Sequence, residues 1–357
     1  MKRMAVWLGV TALAVAAGCF PVLLDVDAKG RALVPRHEGV FAVDLKTGQG
    51  QLVMRSSAAA SPAWARWSPD GKAAMVVSVS SDADNKFLLD VATLGDGKSR
   101  RVAELETAAL ALWSPDGKAV SVAEAGMGGA GLKVVDVASG EKKTVVSPSA
   151  SSHQWTADGK VVAFQPNENV GGDKATDGRL VVADPAGGDA KTIAEARATS
   201  MTVLSLSPDG KYVLLVEKRD DKEQLTRFAV ADGARQTLMA EGVKGAFWSP
   251  DGKRIAILRK IGDDNEKGVD LVVTDAEGKQ SKDLAVDVME NTGEMMGSLP
   301  VYPTWADNDT ILFFRKVAVY GTSGKAMHLF SVKADGGDAR DLQLTVDTAV
   351  AGALKEK

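Results

Sequence analysis

From about residue 22 onward the chain alternates short apolar runs with glycine-bearing turns. Residues 73–79, 119–123, 161–164, 212–216, 254–258 and 310–314 are such runs. Each is too short for a stable helix and is bounded by turn residues, which is the signature of a β-strand. A later run in each unit ends on an aspartate ahead of a glycine, as in Val43-Asp44 with Gly48, Leu89-Asp90 with Gly95, Val135-Asp136 with Gly140, Ala183-Asp184 with Gly187 and Thr274-Asp275 with Gly278. A short further run follows, for example at 51–54, 143–146 and 191–193. Four short strands with a turn about every ten residues make one antiparallel sheet.

The sheets recur. Trp67-Ser68-Pro69-Asp70-Gly71-Lys72 returns as Trp113–Lys118 and Trp248–Lys253, with weaker copies at Trp155–Lys160 and Leu206–Lys211. A degenerate copy runs from Trp305 to Asp309, and Val26–Arg31 fits as a worn first copy. The turn glycines stand at 30, 71, 117, 159, 210 and 252, with Asp309 in the seventh place. A period of about 46 residues is that of a propeller blade. The turn itself is chemically apt: proline presets φ, aspartate suits the next position, and glycine takes the left-handed conformation that closes it. Asn308 and Asp309 tolerate that conformation too. The predicted fold is therefore all-β: a single β-propeller of seven four-stranded antiparallel blades, with six as the alternative count.

The recurring tryptophan ends the innermost strand and can fill the wedge between adjacent blades, where a flat ring buries much area. A residue repeated once per blade at a turn reads as architecture rather than as a row of sugar- or base-binding rings. Leu206 in the fifth copy fits a packing site.

The repeat, with its following apolar run and V-x-D-x-x-x-G strand, resembles the WD-like propeller repeats of TolB-type proteins over about residues 21–345. The resemblance implies partner binding through the propeller faces or the mouth of the central channel. The α/β domain that precedes the propeller in TolB itself has no counterpart between Cys19 and the first copy. Seven copies, against the six blades of TolB, are a further departure.

The N-terminus supplies an address. Lys2 and Arg3 precede an uncharged stretch at 4–17, a positive n-region and an apolar h-region of signal-peptide length. It is shorter than the ~20 residues of a spanning helix. The stretch ends Val15-Ala16-Ala17-Gly18-Cys19, which resembles the lipobox of bacterial lipoproteins, and Cys19 is the one cysteine of the chain. The expected division is a removed signal peptide at 1–18, the propeller at 19–345, and a tail or closing strand at 346–357. Phe20, rather than aspartate, follows the cysteine, which favours the outer membrane facing the periplasm or the cell surface. With no disulfide possible within the chain, Cys19 is read as the lipid attachment site, and the membrane is the first expected partner.

Composition narrows the other partners. The chain of 357 residues is 45% hydrophobic and 25% charged, with a net charge of −4. Removing Lys2 and Arg3 with the leader makes the mature chain more acidic. No basic run offers a surface for nucleic acid. A protein partner and a monomeric state are expected.

Enzyme chemistry finds little support. No G-x-S-x-G nucleophile motif occurs. His37, His153 and His328 lie in different repeats with no short spacing, so no zinc site is expected. The acidic stretches at 81–85 and 262–266 lack the EF-hand pattern and read as polar hairpin tips. No cofactor is expected. Candidate binding residues are His153 and Gln154, on the innermost strand of blade four where neighbouring blades carry Ala or Leu, and Met289, Met295 and Met296. The methionines belong to an insertion at 286–303; a second insertion, rich in Gly and Asp, spans 167–178. Insertions in repeats map to loops and often to binding faces, and methionines can repack against varied partners. The same methionines could instead close over the propeller rim as local core. The sequence thus points to a lipid-anchored extracytoplasmic propeller that binds protein. The alternative is a ligand- or carbohydrate-binding sensor or enzyme using the channel mouth.

Overall fold

The computed structural model describes residues 22–345 except 24, 28, 37, 81–85, 96, 107–108, 125–130, 169–173, 200–201, 261–268, 285–287, 289–300 and 319–324. Every regular element among the described residues is a β-strand. The strands form seven blades, as the repeat predicts. Six are four-stranded antiparallel meanders in chain order, running from Ala60–Trp67 outward to Ser99–Leu105 in blade two and from Thr304–Trp305 to Arg340–Thr345 in blade seven. Blade one has three strands in its sheet, Arg31–Arg36, Gly39–Asp44 and Gly50–Arg55. Its inner segment touches that sheet through the bridge of Val26 with Ala32, while Val22–Leu23 pairs in parallel with Val301–Tyr302 ahead of blade seven.

The strands run longer than the apolar runs that predict them. The run at 212–216 is part of a strand reaching Arg219, and that at 191–193 extends to Thr199. The insertion at 167–178 is not all loop. From Ala175 it is the start of a nine-residue strand that pairs with Lys191–Thr199, with a bulge between Leu180 and Val181, so blade four carries a tall outer hairpin.

The Ser-Pro-Asp-Gly turns are built as expected, with one addition. Ser68 Oγ donates to Asp70 Oδ1 at 2.6 Å and accepts the Ala73 amide at 2.9 Å, while Gly71 at φ +65° closes the turn on the Ser68 carbonyl. The serine is thus a clasp across the hairpin. It recurs at Ser114–Asp116, Ser207–Asp209 and Ser249–Asp251, each at 2.7 Å. In Asp70, Asp116 and Asp251 the serine hydrogen bond is the main influence holding the carboxyl below the usual carboxylate range.

Apolar cores lie between blades. Six buried clusters fill the six seams from blades one and two through to blades six and seven. Among the described residues no such cluster joins blade seven to blade one. There the parallel pairing of Val22–Leu23 with Val301–Tyr302 closes the ring.

The tryptophans pack at these seams and, Trp248 excepted, also stitch them. The indole of Trp113 donates to the Arg66 carbonyl at 3.3 Å, that of Trp155 to the Leu112 carbonyl at 3.1 Å, and that of Trp305 to the Phe247 carbonyl at 3.1 Å. In each case the acceptor lies just before the tryptophan position of the preceding blade. Leu206, 9% exposed, fills the same site in the core between blades four and five.

Glycine has a second use at the outer turns. Gly233, at φ +73°, sits so close to blade four that a Cβ there would stand 2.1 Å from the Ile193 carbonyl oxygen. The backbone of one blade thus rests on its neighbour.

Candidate functional site

Two places combine uncommitted polar chemistry with a defined position: the innermost strands and a charged cleft between blades four and five.

Counting back from the tryptophan of each motif, the second residue is buried in every described blade: Ala65, Ala111, His153, Leu204, Ala246 and Pro303. The first residue back is partly exposed in Asp25, Arg66, Leu112, Gln154, Phe247 and Thr304, and buried only at Ser205. Alternation along a strand sends neighbours to opposite faces, so the buried set faces the preceding blade and the partly exposed set faces the following one.

His153 and Gln154 therefore part company. Gln154 is partly exposed and faces blade five, where its Oε1 accepts the Leu206 amide at 2.9 Å. His153 is 1% exposed and points into the seam with blade three, where its Nε2 meets Ser121 Oγ at 2.8 Å. Its Nδ1 is buried with no partner among the described residues. Burial, reinforced by the positive charge of Arg66, pushes its pKa down to about 3 against the opposing hydrogen bond from Ser121. At neutral pH the ring is uncharged.

Asp25 and Arg66 are ionisable residues at this same position of the innermost segments, which the repeat motif does not flag. The Asp25 carboxylate accepts the Trp67 amide across the first seam. Burial raises its pKa, and the nearby Arg66 charge and the Trp67 amide oppose that rise. The only signal in the sequence is that both are ionisable where other blades carry Leu, Gln, Ser, Phe or Thr.

The cleft holds about 970 Å³. Its walls are the open end of the tall outer strand pair of blade four, with Asp177, Glu195 and Arg197, and the hairpin of blade five, with Lys218, Arg219, Asp220 and Asp221. Asp220 and Asp221 turn the latter hairpin at φ 47° and 60°, a left-handed pair that aspartate can adopt.

Met289, Met295, Met296, Cys19 and His37 lie outside the described residues, as do the acidic stretches at 81–85 and 262–266. His328 lies in blade seven, its Nδ1 2.8 Å from Asp341 Oδ2 and far in sequence from the other histidines. Among the described residues no group of three or more His, Cys, Asp or Glu side chains could hold a metal ion, and no helix is long and apolar enough to cross a membrane.

Neither a family model nor a curated protein matches the sequence. Solved structures do match in fold. A prolyl endopeptidase superposes with a TM-score of 0.63 at 12% identity, over 95% of this chain and 51% of its own, so the chain spans about half that enzyme's length. The β-propeller domain of the trilobed protease from Pyrococcus furiosus, described as having an open velcro topology, gives a TM-score of 0.57 at 16% identity over 89% of this chain and 92% of its own. TolB from Acinetobacter baumannii gives 0.46 at 13% identity over 87% and 80%. Repeats and architecture together make this chain a seven-bladed β-propeller.

Proposed function

We propose that the protein is a lipid-anchored extracytoplasmic scaffold that holds a protein partner on one face of its ring. The observation that carries this reading is the asymmetry of the two faces. In a meander of four strands, the turns after the first and third strands share one face; the turns after the second strand and the links to the next blade share the other. The first face carries the tight Ser-Pro-Asp-Gly turns. The strand ends on the second are farther apart in sequence, as Ser80 is from Phe87, Glu124 from Leu132 and Lys260 from Val269, and that face also carries the open end of the tall strand pair of blade four and the charged cleft. Long connections on a rigid scaffold are where binding residues concentrate.

The anchor belongs to the same reading. Val22 begins the inner segment of blade one on the loop-bearing face, three residues after Cys19. A lipid at Cys19 holds the ring beside the membrane with that face nearest to it. The two or more acyl chains of a lipoprotein give a stable hold, which one chain does not.

A photo-crosslinker placed at Lys86, on the loop-bearing face, is expected to capture one defined partner in membranes, whereas the same group at Lys118, on the opposite face, captures none. Equal capture from both positions, or none from either, refutes the assignment of the face. Palmitate labelling tests the anchor separately: it is expected to disappear in Cys19→Ser.

The ionisable pair Asp25 and Arg66 on the innermost segments supports a second reading, a small ligand bound at the channel mouth. Loss of ligand binding in Arg66→Ala, with the crosslink from Lys86 retained, would separate it from the first.

A further inference from the structure

The cleft between blades four and five is built around a carboxylate that nothing at the surface reveals. Glu217 is fully buried at its back. A buried carboxylate needs close, well-formed partners to offset its lost hydration. Here the partners are loose. Its Oε1 lies 3.4 Å from Arg219 and 3.9 Å from Arg235, and its Oε2 has no hydrogen-bond partner among the described residues. Neither guanidinium is spent in a bidentate pair.

Both arginines line the cleft. Arg235 is held from three sides: by Glu217, by the Glu195 carbonyl at 2.7 Å, and by the Phe228 ring 5.3 Å beneath it. Its position is fixed before any ligand arrives, which lowers the entropic cost of binding. Arg219 and Arg235 keep 46% and 40% of their side-chain surface exposed. The carboxylates of the cleft do not cancel them at close range. Asp177 is paired with Arg197 at 3.0 Å. Asp220 and Asp221 sit at the hairpin tip, and Lys174 and Lys218 flank the opening.

We propose that this cleft binds an oxyanion, a carboxylate or phosphate group, in the fork of Arg219 and Arg235, with Glu217 behind them as the positioning residue. Guanidinium groups suit such anions because their parallel N–H donors match two oxygens at once. A free metabolite and the carboxylate end of a polypeptide carry the same chemistry and can both reach a cleft of this size.

The test is titration calorimetry of the full chain with succinate, inorganic phosphate, and a short peptide in free-acid and C-terminally amidated forms. One-to-one binding of at least one oxyanion probe is expected, with Kd raised at least tenfold in Arg219→Ala and in Arg235→Ala. Arg235→Lys keeps the charge and loses the fork; it is expected to fold as the parent does and to weaken binding in the same direction. Discrimination between the free-acid peptide and its amide assigns the site to polypeptide ends; preference for phosphate or succinate assigns it to a free small anion. Absence of binding by every probe, or binding unchanged in Arg219→Ala and Arg235→Lys, overturns the proposal.

Discussion

Replacing His153 with leucine should remove a pH dependence from the stability of the ring. Leucine already occupies the matching site in blade five as Leu204, 1% exposed, so the backbone geometry accepts it. Ser121 keeps a second partner in the Leu112 carbonyl at 3.3 Å. In the native fold His153 has a pKa of about 3, whereas an unfolded histidine titrates near 6.5. Between those values the unfolded chain binds a proton that the folded chain refuses. Stability therefore falls as pH drops below about 6.5, and it stops falling near the folded pKa. From pH 7.5 to pH 5 the loss from this one group is about 2 kcal/mol, from roughly 1.5 pH units at ~1.4 kcal/mol each. Urea denaturation of the parent and of His153→Leu at both pH values measures it as a difference of differences, in which other titrating groups cancel. Proton NMR of the imidazole rings gives an independent reading, since the chain has three histidines. Parallel pH profiles for the two proteins, or a His153 signal titrating near 6.5, would refute the reasoning.

Other perturbations probe the seams and turns. Trp67→Ala empties a site 7% exposed and removes an indole bonded to the Arg31 carbonyl at 2.9 Å; thermal or urea unfolding should show a loss of about 3–5 kcal/mol. Gly233→Ala drives a methyl group onto the Ile193 carbonyl and strains a positive φ; a lower melting temperature is expected, while Gly188→Ala, with open space around it, should cost less. Ser68→Ala removes the clasp that lowers the Asp70 pKa. A carboxyl with a depressed folded pKa contributes stability above its unfolded pKa of about 3.9 and loses it as pH falls through the folded value. The variant should therefore be less stable than the parent at neutral pH and converge on it in strong acid, as followed by circular dichroism.

The fold was legible because each blade repeats one local code. The Ser-Pro-Asp-Gly turn, the apolar run behind it and the tryptophan before it each carry their own physical reason, and a register error in one copy is corrected by the next. What the repeat could not display were its exceptions that meet in space. Ser121 and His153 each replace an apolar residue at a core position of neighbouring blades, yet only the ring brings them to 2.8 Å. Glu217 was hidden for a simpler reason. The apolar run at 212–216 stops just before it, which reads as the end of a strand, whereas the strand continues to Arg219 and carries the carboxylate into full burial. The insertion at 167–178 hides its strand in the same way: its Gly and Asp content suggests a loop, but from Ala175 onward its pairing with the outer strand makes it sheet.

Seven blades, with six apolar clusters between neighbours among the described residues, give the molecule the energetics of a stack whose ends have been brought together. Stability in such a stack is a sum of unit and nearest-neighbour terms, and the joint between blades seven and one carries a parallel backbone pairing of only two residues a side, Val22–Leu23 with Val301–Tyr302. Thermal fraying should start there and spread blade by blade in both directions. Amide exchange at Val22 and Leu23 would run ahead of exchange at the inner strand of blade four. A load applied through the chain at Val22 would fall first on that pairing.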